Sequence, residues 1–276
     1  MTHSPPLLVL ERLQVDVAAA FGRRTTLIAE TSLQVRAGEI VAVVGPSGSG
    51  KSTLLKAILG LVPFTNGSMA FRGEPIRHSL DRTHRRLRAA AEAVFQNPLG
   101  ALNPHRSLRH TIEEPLLARG MGQVHRRQRV DDVARHMGLA SDVLERRPAA
   151  VSLGQAQRAC IARALAPHPS LLFLDEPLSA LDAVVALDVA KLLVATIHEA
   201  RPTVLLISHD LRLVRRLATR VLVVDAGRIV EDAATERFLA SPTSTAGRAL
   251  VASDARRRAV LEACARSVAQ PLEISG

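Results

Sequence analysis

Apolar residues in this chain gather in short blocks, and three of the blocks stop abruptly at a polar cluster. Ile40-Val41-Ala42-Val43-Val44 stops at Gly45, Leu171-Leu172-Phe173-Leu174 stops at Asp175-Glu176, and Val204-Leu205-Leu206-Ile207 stops at Ser208-His209. Uninterrupted apolar runs of this length are the pattern of strands buried on both faces. Further strand-like stretches lie at 7–17, 26–35, 68–71, 93–95 and 221–224, with helical patterns between several of them. Strands that alternate with helices predict a largely parallel α/β sheet. The strand signal is lost between Asn97 and Ala150, where Pro98, Pro104, Pro115 and Pro148 frame helical patterns near 107–119 and 125–137. That stretch reads as a helical insertion in the α/β core. From Pro242 onward a short arginine-rich helical tail is expected, with no chemistry of its own.

The block at 40–44 opens onto Gly45-Pro46-Ser47-Gly48-Ser49-Gly50-Lys51-Ser52-Thr53, with an amphipathic helix expected over 52–59. Strand, glycine-rich loop and helix in this order form a phosphate-binding loop. The glycines let successive N–H groups turn inward toward phosphate oxygens, and the helix adds its positive end. Lys51 is placed to reach the β- and γ-phosphates, and the Ser52 hydroxyl to ligate Mg²⁺. Only three of the 36 basic residues are lysines, at 51, 56 and 191. Where arginine is the default cation, a lysine in this slot marks a need for a compact ammonium. The chain is expected to bind a nucleoside triphosphate.

The other two block ends carry acid–base groups. Asp175 and Glu176 arrive at the C-terminal end of a strand, where ligands sit in open α/β sheets. Asp175 is suited to hold Mg²⁺, and Glu176 to polarise an attacking water as general base. His209, 33 residues past Glu176, is able to donate to a γ-phosphate or orient that water. Gln96, after the short strand Val94-Phe95, is a further candidate.

Composition narrows the setting. Cys160 and Cys264 offer neither metal spacing nor a disulfide framework, so a reducing, cytoplasmic environment is expected. No apolar run approaches the roughly 18 to 20 residues that span a bilayer. The first residues hold Glu11, Arg12 and Asp16 and lack a basic start, so no secretory leader is expected. A net charge of +10 raises the question of nucleic acid, but aromatics are 2% of the chain, with no Trp or Tyr to stack on bases. Arg212, Arg215, Arg216 and Arg220 alternate with Leu211, Val214, Leu217 and Ala218 at helical spacing. That is the pattern of solvated helix faces, with attraction to anionic headgroups as a second use of the charge.

Taken together, these residues resemble the nucleotide-binding subunit of an ATP-binding cassette transporter, over nearly the full length of the chain. Gly45 to Thr53 match the Walker A motif and Gln96 the Q-loop. Asp175 and Glu176 match the Walker B aspartate and the glutamate after it. Ser179-Ala180-Leu181-Asp182 matches the D-loop, with Ser179 and Asp182 as its polar residues, and His209 matches the switch histidine. Val151-Ser152-Leu153-Gly154-Gln155 falls where the family has its Leu-Ser-Gly-Gly-Gln signature, so Ser152, Gly154 and Gln155 are implied to meet a partner's ATP. Phe21, 30 residues before Lys51, matches the aromatic that stacks on adenine, and a place in the core fits it equally.

The resemblance implies an α/β P-loop NTPase fold with an antiparallel β subdomain and an inserted α-helical subdomain at about 97–165. The nucleotide-binding domain is expected over 1–241 and the helical tail over 242–276. ATP and Mg²⁺ are the implied cofactors, with Ser52, Gln96 and Asp175 around the metal and Glu176, His209 and Gln96 in hydrolysis. Two such domains meet head to tail in this family. The implied partners are a second ATPase subunit, two integral-membrane permease subunits and, indirectly, a substrate-binding protein, at the cytoplasmic face of the inner membrane. No nucleic-acid partner is implied. A soluble cassette ATPase of DNA repair or translation would carry two cassettes, a coiled coil or a zinc insertion, and a GTPase would carry Asn-Lys-x-Asp; none of these is present.

The stretch Phe95-Gln96-Asn97-Pro98-Leu99-Gly100-Ala101-Leu102-Asn103-Pro104 is similar to the Q-loop region of dipeptide, oligopeptide and nickel importers. Arg72-Gly73-Glu74-Pro75, Arg158-Ala159-Cys160-Ile161 and Gly227-Arg228-Ile229-Val230-Glu231 look closer to the second ATPase of nickel importers, whereas Asn97-Pro98 looks more like a dipeptide importer. The segment from Gln96 to Glu114, with Leu102 in it, is expected to face a permease. Leu153 departs from the signature, where the family has glycine. It is expected to resist a positive φ and to crowd the partner's nucleotide, which favours a heterodimer with unequal ATP sites.

Overall fold

The computed structural model describes residues 5–18, 24–77 and 82–269. Phe21 lies outside them. Four strands, β1 (Leu8–Ala18), β2 (Arg24–Val35), β4 (Asn66–Phe71) and β5 (Glu74–Ile76), form an antiparallel sheet in the order β2-β1-β4-β5. The other six are β3 (Ile40–Val44), β6 (Ala91–Val94), β7 (Leu171–Asp175), β8 (Thr203–Ile207), β9 (Arg220–Asp225) and β10 (Arg228–Ala234). They form the main sheet in the order β10-β9-β3-β8-β7-β6, parallel throughout except for β10.

The uninterrupted apolar blocks are explained by what lies on the two faces of this sheet. Every residue of β7 and β8, and all of β3 but Ile40, is buried. One face, through Val43, Phe173, Leu205 and Ile207, shares a core with helix α1 (Lys51–Ile58) and the antiparallel sheet. The opposite face, through Leu172, Leu174, Val204 and Leu206, shares a core with the helices inserted between β6 and β7. These are α3 (Pro98–Ala101), α4 (Leu108–Ala118), α5 (Gln123–His136), α6 (Ser141–Leu144) and α7 (Leu153–Leu165); α2 (Arg82–Ala90) precedes β6. Helix α8 (Ala183–Ala200) adds Val189, Leu193 and Ile197 to the same core.

Three expectations are corrected here. The short strand near 93–95 is β6, which ends at Val94, so Gln96 stands two residues beyond it. Leu102 is 4% exposed and belongs to the core cluster that holds Leu108, Ile112 and Ile161. It cannot face a permease; Leu99, Asn103 and His105 are among the exposed residues of that stretch. A carboxylate at 102 would be buried without a partner. Leu102→Asp is therefore expected to destabilise the fold by roughly 3 kcal/mol or more, read as a lowered melting temperature of the isolated chain. Last, the tail is one long helix rather than a short segment. After α9 (Leu211–Leu217) and α10 (Thr235–Ala240), α11 (Thr245–Ala269) runs for 25 residues.

Candidate functional site: a nucleotide site at the strand ends

Parallel pairing puts the C-terminal ends of β3, β7 and β8 at one edge, and the candidate residues follow directly from those ends. After Val44 the chain enters the loop 45–50, and α1 starts at Lys51 with Gly50 as its N-cap at φ 102°. The loop is held from below by its neighbours. Gly45 sits at φ 152°, and a Cβ there would lie 2.0 Å from the carbonyl oxygen of Val224. The turn between β9 and β10 adds a second support, with Gly227 donating its N–H to the Ser49 carbonyl at 2.9 Å. Nothing in the sequence pattern pointed to this support. The sign available was the apolar strand at 221–224 followed by Ala226-Gly227, a tight hairpin turn at positive φ.

Lys51 folds its ammonium over the loop. Its Nζ donates to the carbonyls of Gly45 at 3.0 Å and Pro46 at 2.7 Å, and lies 3.4 Å from Ser49 Oγ. Burial pushes the Lys51 pKa down, against the opposing pull of Glu176 and Asp175. A cation held among carbonyl oxygens, with glycines where a side chain would collide, is a cradle whose chemistry fits a polyphosphate.

The next residue meets the neighbouring strand. Ser52 Oγ donates to Asp175 Oδ1 at 3.0 Å, and Asp175 is buried at the end of β7. Burial raises the Asp175 carboxyl above its ordinary range, the Glu176 charge adds to that, and the Ser52 bond opposes it. A hydroxyl and a carboxylate side by side are hard oxygen donors of the kind Mg²⁺ takes from protein in phosphate sites.

Glu176 leaves β7 in the left-handed region at φ 49°. A non-glycine residue there stores strain, and its backbone is held by two bonds. Its N–H donates to Ile207 O at 2.9 Å, and its own carbonyl accepts from Ser179 Oγ at 3.0 Å. The result is a carboxylate aimed at β8, where His209 Nδ1 lies 2.8 Å from Glu176 Oε2. The bond to Glu176 raises the His209 pKa, with burial and Arg257 opposing. Asp182 caps α8 by accepting from the N–H groups of Val184 and Val185 at 3.1 and 3.0 Å. Ser179 and Asp182 thus shape the loop that leads away from Glu176.

Lys51, Ser52, Asp175, Glu176 and His209 are brought to one place. Gln96 leaves β6 on the same sheet edge, since Val94 pairs with Leu174, and its side chain is exposed. Among the described residues, no hydrogen bond or ion pair joins Gln96, Ser152, Gly154 or Gln155 to that group. The signature residues instead begin α7. Ser152 Oγ accepts from Gln155 N at 3.2 Å and Gln155 Oε1 accepts from Ser152 N at 2.9 Å, a reciprocal capping box. At Gly154 a Cβ would lie 2.5 Å from Val185 Cγ1, so the glycine lets α7 approach the start of α8.

Leu153 is the first residue of α7 and is 37% exposed. It has ordinary helical geometry, so the strain expected at this position is absent and only its bulk remains. The same helix also holds the segment after Gln96. Arg163 donates to Ala101 O at 2.6 Å and Cys160 Sγ lies 3.6 Å from Pro98 O, its thiol pushed up to about 11 by burial.

Comparison with known proteins places this geometry in a family. Residues 28–179 match the family model described as "ABC transporter". The chain is 42% identical over 209 residues to the nickel import ATP-binding protein NikE of Rhodospirillum rubrum, which covers 75% of this chain and 76% of that protein. It is 40% identical over 214 residues to the NikE protein of Brucella abortus, covering 77% and 80%. Among solved structures, the dimeric ATP-binding cassette MJ0796 in a post-hydrolysis state bound to ADP and Pi aligns with a TM-score of 0.74 and 27% identity, over 83% of this chain and 98% of that one. CbiO1 of Clostridium perfringens, part of the ABC transporter complex cbiONQ, aligns with a TM-score of 0.74 and 26% identity, over 86% and 92%.

Proposed function

The chain belongs to the ABC transporter family as an ATP-binding, ATP-hydrolysing importer subunit, and on that premise we propose that its turnover powers uptake of nickel or a nickel chelate. The observation that carries the catalytic part is the pair of contacts beside the Lys51 loop, Ser52 to Asp175 at 3.0 Å and Glu176 to His209 at 2.8 Å. Gly45 to Thr53 cradle the triphosphate, with Lys51 on the β- and γ-phosphates. Ser52 and Asp175, with Gln96 from the neighbouring strand end, would hold Mg²⁺, which when bound would neutralise phosphate charge. Glu176 takes the proton of the attacking water, and His209 turns from Glu176 toward the γ-phosphate.

Among the described residues no helix is long and apolar enough to cross a membrane. As an importer subunit of this family, the chain works at the cytoplasmic face, docked on two permease subunits that a substrate-binding protein supplies. Gln96 and the exposed residues Leu99, Asn103 and His105 form the face toward a permease. The grip of α7 on α3 through Arg163 and Cys160 ties that face to the signature.

The cargo reading rests on the names of the relatives, and the Asn97-Pro98 segment favours dipeptides as the second reading. Uptake of radioactive nickel and of a labelled dipeptide in a strain lacking this gene separates the two. Loss of nickel uptake with dipeptide uptake retained supports nickel; the reverse result overturns it.

The signature residues Ser152, Gly154 and Gln155 serve the ATP site of a second, non-identical cassette, where the bulk of Leu153 slows turnover. Leu153→Gly is then expected to raise hydrolysis at the partner's site several-fold and leave the Lys51 site unchanged. The check is phosphate release from the reconstituted pair with each site's glutamate silenced in turn. Equal rates at both sites before the change would count against the asymmetry.

A further inference from the structure

Helix α11 starts from a built anchor. The buried carboxylate of Glu231, on β10, accepts from Thr243 N at 2.8 Å, Ser244 N at 2.9 Å and Ser244 Oγ at 2.6 Å. Ala246, Leu250 and Val251 then pack on a cluster that contains Phe238 and, from α9, Leu211 and Val214. One turn on, the Asp254 charge acts on the Arg212 guanidinium of α9. Positions 246, 250, 254 and 257 share one helix face, so this docking decides where Arg257 goes. It reaches a cavity of about 220 Å³ lined also by Glu176, Ser179, Ser208, His209 and Asp210.

The charges in that cavity are distributed unevenly. Asp210 is satisfied by Arg212, whose Nε and Nη2 donate to it at 3.0 and 2.9 Å. Glu176, with 17% of its side chain exposed, has His209 as its ion-pair partner. In the proposed reaction His209 turns toward the nucleotide, and a half-dry carboxylate left without a donor is costly. Among the described residues no salt bridge holds Arg257, and its charge already opposes a proton on His209.

We propose that Arg257 is a positioning residue that receives the Glu176 carboxylate when His209 turns away, which makes the C-terminal helix part of the catalytic centre. The inference rests on Glu176 being the general base. A guanidinium at this wall of the cavity gives the carboxylate a charged donor and keeps it aimed while the imidazole is engaged elsewhere. Because the Lys51 loop is untouched, nucleotide affinity does not depend on Arg257.

The test is steady-state hydrolysis by the complete transporter, with the glutamate of the second cassette silenced. Arg257→Gln is expected to lower kcat about tenfold, the scale of one charge-assisted hydrogen bond, with KM for ATP and the melting temperature unchanged. Arg257→Lys should restore most of the rate. A parent-like kcat in Arg257→Gln overturns the inference, as does a fall in kcat and melting temperature together that lysine fails to rescue. Glu176→Gln is measured alongside. If it abolishes turnover while Arg257→Gln is parent-like, only the role of Arg257 falls; if it retains turnover, the general-base reading falls and this inference with it.

Discussion

Glu176→Gln is expected to remove hydrolysis while leaving ATP bound, with steady-state phosphate release falling by about 10² to 10⁴, the usual span for loss of a general base. The physical reason is local. The amide keeps the size of the carboxylate and can hydrogen-bond to water, but it cannot take up a proton. Its backbone stays fixed at φ 49° by the bonds to Ile207 and Ser179, so the substitution removes basicity and leaves the frame. Binding is carried by the Lys51 loop and is expected to persist, seen as an ATP-dependent rise in melting temperature that matches the parent. The ATP-closed dimer should accumulate. Phosphate release near the parent rate would remove Glu176 from its assigned role.

Gly45→Ala is expected to damage the same site through the backbone. The alanine methyl would lie 2.0 Å from the Val224 carbonyl oxygen, and φ 152° is a conformation alanine avoids. Neither side can give way cheaply. Val224 belongs to β9, which pairs with β3, the strand that feeds the loop. Strain and overpacking each cost about 1–3 kcal/mol, so the melting temperature should fall by several degrees or more. ATP should no longer protect the chain against unfolding, because the ammonium of Lys51 is held by Gly45 O itself. A folded Gly45→Ala variant with parent-like ATP protection would show that the loop tolerates displacement at this point.

The parts of the fold that were legible in the sequence are those where burial on both faces leaves an uninterrupted apolar run. β3, β7 and β8 are such strands, and the polar residues that end them, Gly45, Asp175-Glu176 and Ser208-His209, come together because parallel pairing aligns their ends. Edge strands leave no such mark. β10 has one buried residue, Glu231, and β5 is Glu-Pro-Ile. Leu102 misled because Asn103, Pro104 and His105 around it are exposed and read as surface, while α7 and α4 close over the leucine itself. The length and reach of α11 were illegible because its arginines mask a thin stripe at 246, 250 and 254. That docking is set by the Glu231 carboxylate on β10, whose partners Thr243 and Ser244 carry no local pattern that announces the contact. The left-handed Glu176 and the Gly227 support under the loop are tertiary facts that no local pattern announces.

The most direct measurement is nickel uptake into proteoliposomes that hold the permease subunits, the second cassette and this chain, supplied with binding protein and nickel outside and Mg²⁺ and ATP at the cassettes. Uptake and phosphate release should rise together on adding nickel, and both should collapse when Glu176→Gln replaces the parent chain. Nickel uptake that continues with Glu176→Gln, or phosphate release that responds to a dipeptide and ignores nickel, would contradict a chain whose ATP turnover drives nickel import.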